Sequence, residues 1–363
     1  MTYNHYEHNS NLFKNNNLST DDVLLVPQSG VIKSRKKVKF STPFIYSAPM
    51  DTVTNKSISK LMLNTGQCPV SCRYDLPEDR LAMLMEFHQF ENFWFSVGLS
   101  YDDYEMLNRV FERSNYKVNI CVDVAHGDMI MAHKFYKLYS KAPWCRKLMS
   151  GSVATPESAM EVFKSGCTHI RIGIGPGSAC STRIVTGCGY PNLSAVYNIY
   201  EKFESYALQN KATFIADGGI KTTADIAKYL SAGADAVMLG SLLSKTIESP
   251  GWKINKLRNF LNKISFGYLY KNKIKYKEYR GQASEQFQMQ KIGYVSGTPE
   301  GVQAPPLYNY YTYMSFYNRV TSSLASSVSY LGLNSIYAMS PKSVKFIKIT
   351  NNTLKESHPH ILS

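Results

Sequence analysis

The run Thr168-His-Ile-Arg-Ile-Gly-Ile174 is short and mostly apolar, and it breaks into the glycine-rich Gly175-Pro-Gly-Ser-Ala-Cys-Ser-Thr182 before the helix-like stretch Asn192–Tyr206. A strand, a loop and a helix in that order make one βα unit of a parallel sheet. The same rhythm extends in both directions between Phe44 and Ser241. The candidate strands are Phe44–Pro49, Pro69–Cys72, Trp94–Leu99, Val118–Val124, Lys147–Gly151, Thr168–Ile174, Thr213–Ala216 and Ala236–Leu239. Pro156–Lys164, Thr223–Leu230 and Leu243–Thr246 are among the intervening helical candidates. Eight successive units predict an α/β fold, the (β/α)8 TIM barrel. An open doubly wound sheet would need a glycine-rich phosphate loop after its first strand. Here that strand ends in Met50-Asp51, without glycine.

Around the core (44–250), residues 1–43 carry an extended segment, Asp22–Pro27, and a basic loop, Lys33–Lys39. Residues 252–306 read as a long flap after the eighth strand, Tyr/Lys-rich and then Gly/Gln/Ser/Pro-rich. Residues 307–363 read as a helix-strand extension, with a helix over Tyr313–Ser327 and a strand over Val344–Ile349. The expectation is one catalytic barrel over 1–363.

Composition narrows the class. Of 363 residues 44% are hydrophobic and 19% charged, as a globular core requires. No stretch reaches the roughly 20 apolar residues of a membrane span, and the Asn-, His- and Tyr-rich start lacks a secretory signal's apolar run. A cytoplasmic protein with no membrane partner is predicted. The seven cysteines are odd in number and several fall inside predicted elements, which points to free thiols in a reducing compartment. Cys68 and Cys72 have no second Cys/His pair at zinc spacing. The net charge of +14 raises nucleic-acid binding as a reading. The lysines are scattered, however, with one concentration between Lys253 and Lys277, and Lys, Asn, Tyr and Ile are enriched together. Compositional bias accounts for this, and a positive field also suits an anionic small molecule. No nucleic-acid partner is predicted.

In a (β/α)8 barrel the chemistry sits at the C-terminal ends of the strands. Those ends carry Met50-Asp51, Asp123, Gly175–Cys180, Asp217-Gly-Gly219 and Gly240-Ser241. The glycines of the sixth loop let backbone N–H groups converge on a phosphate, or carbonyls on a monovalent cation. Cys180 would hold its thiol over the barrel mouth, although most cysteines are inert apolar residues. The ends of strands seven and eight match the phosphate position of such barrels, and Asp217 suits a ribose diol, or else a helix N-cap.

The loop Gly173–Thr182, with Arg183-Ile-Val-Thr-Gly-Cys-Gly-Tyr-Pro191 after it, resembles the signature of IMP dehydrogenases and GMP reductases. Asp21-Asp-Val-Leu-Leu-Val-Pro27, Met50-Asp-Thr-Val53, Asp123-Val-Ala-His-Gly127, Ile215-Ala-Asp-Gly-Gly-Ile220 and Met238-Leu-Gly-Ser241 fall in the same order as in that family. The resemblance implies roles residue by residue. Cys180 would be the nucleophile on purine C2, with Thr182 handling the leaving group or proton. Ser178, Gly219, Gly240, Ser241 and Tyr279 would hold the phosphate of a purine nucleoside monophosphate, with Met50, Gly218 and Gly281 beside it and Asp217 on the ribose. Asp123, Val124, Ala125, Gly173 and Gly175 would face the nicotinamide cofactor. Carbonyls of Gly175, Gly177 and Cys180 would bind a potassium-like ion, and the assembly would be a homotetramer.

Within the family, the short run from Cys72-Arg-Tyr74 to Trp94 leaves no room for the regulatory CBS-type pair that typical dehydrogenases insert there. Dehydrogenases also need a mobile Arg-Tyr pair whose arginine activates water. The corresponding Lys277-Glu-Tyr-Arg-Gly-Gln-Ala-Ser-Glu-Gln-Phe-Gln288 lacks it and is similar to one bacterial class of GMP reductase, as is the tail Ser326-Ser-Val-Ser-Tyr-Leu-Gly332. Glu300 matches the acid that, with Thr182, protonates departing ammonia. The resemblance therefore implies NADPH-dependent reductive deamination of GMP to IMP. The alternatives are oxidation of IMP with NAD, or a nucleotide-binding regulator that has lost catalysis. Three positions depart from the reductase pattern. Arg280 resembles the dehydrogenase Tyr-Arg-Gly, Val302 replaces a common Lys, and Ser152 replaces a common Asn. With the long stretch Trp252–Lys273, they fit a divergent substrate such as a deoxynucleotide or modified purine.

Overall fold

The computed structural model describes residues 5–357 other than 31, 33, 41–42, 209–210, 255–274, 296, 306 and 308–309. Eleven strands are described: β1 (Val23–Leu25), β2 (Ile45–Ser47), β3 (Trp94–Val97), β4 (Val118–Val122), β5 (Cys145–Val153), β6 (His169–Ile172), β7 (Thr213–Asp217), β8 (Ala236–Leu239), β9 (Trp252–Ile254), β10 (Lys275–Lys277) and β11 (Phe346–Lys348). Strands β2 to β8 lie parallel in the order β2-β8-β7-β6-β5-β4-β3. The predicted second strand, Pro69–Cys72, is not a ladder strand but still closes the ring. Cys68 N–H donates to Ile45 O (2.9 Å) and Ser47 N–H to Cys68 O (3.0 Å). On the other side Trp94 N–H donates to Pro69 O and Ser71 N–H to Trp94 O, both at 3.0 Å. Pro69 has no N–H to give, so this segment makes bridges rather than a ladder. The result is the expected (β/α)8 arrangement.

Alternation along each strand sends every second side chain into the lumen. Tyr46, Trp94 and His169 meet there, with ring centroids 6.0 Å apart for Tyr46 and Trp94 and 4.6 Å for Trp94 and His169. Burial pushes the His169 imidazole down to about 3, so it packs as a neutral ring. Arg171 lies two residues along β6 on the same face, nearer the strand end, and tops this apolar filling with a charge.

Helices on the outside begin at side-chain caps: Asn55, Ser100, Thr155 and Thr222 each accept a backbone N–H from the first turn. The helix Pro77–Phe87 fills the connection to β3. The C-terminal helix runs over Tyr313–Tyr330, one turn longer than predicted, and reaches the helix Thr223–Ser231 through Ser323 and Thr223 (2.7 Å). After the barrel, β9 and β10 pair antiparallel; the stretch 255–274 between them, with most of the predicted insertion, lies outside the described residues. β1 pairs antiparallel with β11. A helix over Tyr6–Lys14, not foreseen, packs Phe13 on Tyr197 (4.1 Å) and Phe346 (5.4 Å). Among the described residues no helix is long and apolar enough to cross a membrane.

Candidate active site

A cavity of about 320 Å³ opens at the C-terminal ends of the strands. Its wall is built from the loops after β2, β4, β6 and β7 and from the segment after β10. Of the predicted residues, Met50, Asp123, Val124, Ala125, Gly173, Gly175, Gly177, Cys180, Thr182, Asp217, Gly218, Tyr279, Gly281 and Glu300 all line it.

Cys180 is exposed, and its Sγ lies 3.1 Å from Thr182 Oγ1. Its backbone is held on both sides. Cys180 N–H donates to Gly177 O (3.0 Å), Ser181 N–H to Glu300 O (2.8 Å), and Val302 N–H to Ala179 O (3.0 Å). Glu300 is therefore fixed to the thiol-bearing loop by main-chain bonds, although 120 positions separate it from Cys180 in the chain. Gly281 and Gly301 permit this contact: a Cβ on Gly281 would lie 2.5 Å from Ala179 O, and one on Gly301 3.2 Å from the same atom.

Of the expected phosphate residues, Ser178 and Gly240 lie against Tyr279. Ser178 Oγ donates to the Tyr279 hydroxyl at 3.4 Å, and a Cβ on Gly240 would lie 2.9 Å from that hydroxyl. Ser241 opens the short helix that follows Gly240. Burial pushes the Tyr279 phenol above its usual value, so it keeps its proton and can donate. Gly219 sits one step away, against Pro176 and the Tyr229 hydroxyl.

Sequence reasoning missed the arginines of the wall. Arg171 donates through Nη1 to Asp123 Oδ1 (2.8 Å), and through Nε (3.0 Å) and Nη2 (2.8 Å) to Asp217 Oδ2. Burial alone would lower its pKa, but Asp217 and Asp123 outweigh that and hold it firmly protonated. Arg73 adds a second cation, its Nε 3.6 Å from Asp123 Oδ2 and its guanidinium 4.0 Å above the Tyr74 ring. Both oxygens of Asp123 therefore face arginines. Asp217 meets Arg171 through Oδ2, and its backbone closes on Gly173, where a Cβ would lie 2.1 Å from Asp217 O. A charged residue inside an apolar strand was the available signal for Arg171; nothing local marked Arg73.

Arg280 is buried, and the side chain of its partner Asp51 is only 8% exposed. Nη2 bonds Asp51 Oδ2 (2.6 Å), Nη1 bonds Gln290 Oε1 (2.7 Å), and the group lies over the Phe287 ring. Phe287 in turn meets Tyr74 edge-on at 4.9 Å.

A family profile described as "IMP dehydrogenase / GMP reductase domain" matches residues 17–360. The chain belongs to that family. Its members named inosine-5'-monophosphate dehydrogenase include a Borreliella burgdorferi protein, 34% identical over 261 residues that make up 71% of this chain and 61% of the relative. The Bacillus subtilis protein of that name is 34% identical over 73% of this chain and 51% of its own length. The Methanocaldococcus jannaschii protein of that name is 36% identical over 69% and 51%. The chain thus spans about half to three-fifths of the length of these relatives. The family implies a nicotinamide dinucleotide. The donor set beside Cys180 fits one: Arg73 with a buried Nε lacking a hydrogen-bond partner, the Tyr74 ring beneath it, and the open edge of Asp123–Ala125. A monovalent cation on the carbonyls of Gly175, Gly177 and Cys180 fits less well. The Gly177 carbonyl accepts the Cys180 N–H, and the Arg183 side chain fills the space beside Gly175, with Cγ 2.5 Å from where a Cβ would be.

Proposed function

We propose that this protein is a GMP reductase, converting GMP to IMP and ammonia at the expense of NADPH. The observation that carries the reading is the fate of Arg280. It is the one arginine between residues 275 and 312, and it is buried on Asp51 and Gln290 rather than available to activate a water molecule. With no other arginine in that stretch to activate water, a covalent purine there lacks the hydrolytic exit toward the dehydrogenase product. Glu300, by contrast, lines the same cavity as Cys180 and Thr182, where a reductase needs a proton donor.

In this mechanism the phosphate of GMP binds Ser178, the N–H groups of the glycine loops and the protonated Tyr279 hydroxyl, and Asp217 takes the ribose. The Cys180 thiolate forms a bond to purine C2. Glu300, acting with Thr182, protonates the exocyclic amine, the C2–N bond breaks, and ammonia leaves. NADPH, when bound, supplies a hydride to C2. The C2–S bond then breaks, regenerating the Cys180 thiolate and releasing IMP. Asp123 and Arg73 orient the nicotinamide side, and Tyr279, Gly281, Glu300 and Gly301 form the wall facing the covalent carbon.

A second reading, oxidation of IMP with NAD, draws support from the names of the relatives described above. Purified protein given GMP plus NADPH, and separately IMP plus NAD, followed at the nicotinamide absorbance, tests both. Consumption of NADPH in the first mixture is expected. NAD reduction in the second, with the first silent, would refute the reductase. Cys180→Ala should abolish turnover and still bind nucleotide; activity retained in that variant would overturn the nucleophile assignment.

A further inference from the structure

Arg183 takes no part in the chemistry above, yet its side chain runs through the base of the catalytic loop. A Cβ on Gly175 would lie 2.5 Å from Arg183 Cγ and 3.0 Å from its Nε, and a Cβ on Gly189 would lie 2.6 and 2.8 Å from the same atoms. The aliphatic stem therefore threads between two glycines 14 positions apart. Nε then donates to Ile174 O at 3.0 Å, and Nη2 donates to Tyr190 O at 2.5 Å. Ile174 and Tyr190 are the two ends of the loop that carries Ser178, Cys180 and Thr182. A planar guanidinium with several fixed donors is suited to tying two carbonyls together, and its charge is permanent.

We propose that the Arg183 guanidinium is a built-in cation that cinches the Cys180 loop shut, so that the loop is set without a separate monovalent ion. A bound alkali ion draws loop carbonyls to a common positive centre. Here a side-chain cation already does so, and an ion on the Gly175 carbonyl would share that residue's surroundings with a like charge. Arg183 is then a positioning residue: it acts on Cys180 and Thr182, three residues and one residue before it in the chain, through the backbone, and bonds neither reacting atom. The conclusion stands apart from the choice between reductase and dehydrogenase, because the loop can be read through the Cys180 thiol itself.

The experiment measures iodoacetamide alkylation of Cys180 by peptide mass spectrometry, with thermal unfolding and turnover alongside, in KCl, NaCl or tetramethylammonium chloride at equal ionic strength. For the unaltered protein the alkylation rate should agree within about twofold across the three salts. Arg183→Met keeps the stem and removes the charge. It should change the alkylation rate at least about tenfold in tetramethylammonium and recover toward the parent value in KCl, the ion now filling the vacated position. Arg183→Lys, retaining a cation, should show the weaker salt dependence of the two. Gly189→Ala expels the same stem by contact alone and should acquire the same potassium dependence. A tenfold potassium dependence in the unaltered protein, or a salt-indifferent Arg183→Met protein with parental alkylation, would overturn the proposal. If Arg183→Met fails to fold, the salt series on the unaltered protein and on Gly189→Ala decides. Salt-independent alkylation in a protein with no GMP-dependent NADPH oxidation would sink the reductase reading alone.

Discussion

Replacing Arg171 by Met is the most demanding test of the site's electrostatics. Methionine fills much of the lumen volume taken by the arginine stem but withdraws its charge and its three bonds to Asp123 and Asp217. The Asp123 side chain is 7% exposed and that of Asp217 17%, so neither carboxylate can be fully rehydrated in place. Removing one member of a buried charge cluster costs about 3–5 kcal/mol, mainly because charge is left buried without its partner; here Asp217 loses its arginine while Asp123 keeps Arg73 at 3.6 Å. With an unfolding entropy of about 2.1 cal/mol/K per residue, a chain of 363 residues should lose roughly 4–7 °C in Tm. Thermal and urea unfolding of the parent, of Arg171→Met, and of Arg171→Met combined with Asp123→Asn and Asp217→Asn separate charge from packing. The triple variant should recover at least about 1 kcal/mol, because its amides cost less to bury than unpaired carboxylates. An Arg171→Met protein within about 1 kcal/mol of the parent, or a triple variant less stable than the single one, would refute the reasoning that charge dominates here.

Gly240→Ala should raise the KM for nucleotide about tenfold, near 1.4 kcal/mol, with a smaller effect on Tm, because the added methyl meets the Tyr279 hydroxyl at 2.9 Å; steady-state kinetics check it. Thr182→Val should lower kcat by about 10²-fold or more while sparing nucleotide affinity, as loss of a proton-handling group does; equal losses in kcat and binding would assign it to packing. Asp235 carries a pH signature: burial pushes its carboxyl up to about 6, whereas an unfolded Asp titrates near ~3.9. The folded chain thus holds this proton more tightly, so the residue's contribution is most favourable below pH ~4 and is lost as pH rises through about 6. Asp235→Asn keeps an acceptor for Phe214 N–H (2.7 Å) and should raise stability by on the order of 1–3 kcal/mol near neutral pH, a gain that vanishes in scans near pH ~4.

The periodicity of apolar runs made the barrel readable, because strands β2 to β8 are largely buried and several run into a glycine or carboxylate, at Gly98, Asp123, Gly173, Asp217 and Gly240. It failed where backbone chemistry, not hydrophobicity, decides. Pro69 turns a predicted strand into a pair of bridges. β5 begins at Cys145, earlier than the predicted Lys147, because Arg146 breaks the apolar signal but not the hydrogen bonding. The helix Tyr6–Lys14 escaped because its Asn- and His-rich face looks like coil until Phe13 finds Tyr197 and Phe346. In the site, Cys180, Thr182, Asp217 and Glu300 were legible as residue types suited to chemistry at strand ends or in a motif. The partnerships were not: Arg171 with two carboxylates, Arg280 with Asp51, and Arg183 with two glycines join residues between 6 and 229 positions apart, and no local pattern encodes such distances.

The pairing of β1 with β11 has a consequence for biosynthesis. Val23 emerges from the ribosome more than 300 residues before its partner Lys348, so that ladder forms on a nascent chain only after the ring of β2 to β8 has been made. The ring of β2 to β8 can assemble earlier, whereas Glu300 and the other lining residues after β10 are made only afterward. A growing polypeptide would therefore present the assembled ring with the Cys180 loop still lacking its contacts to Gly281, Glu300 and Val302 until that later segment has emerged.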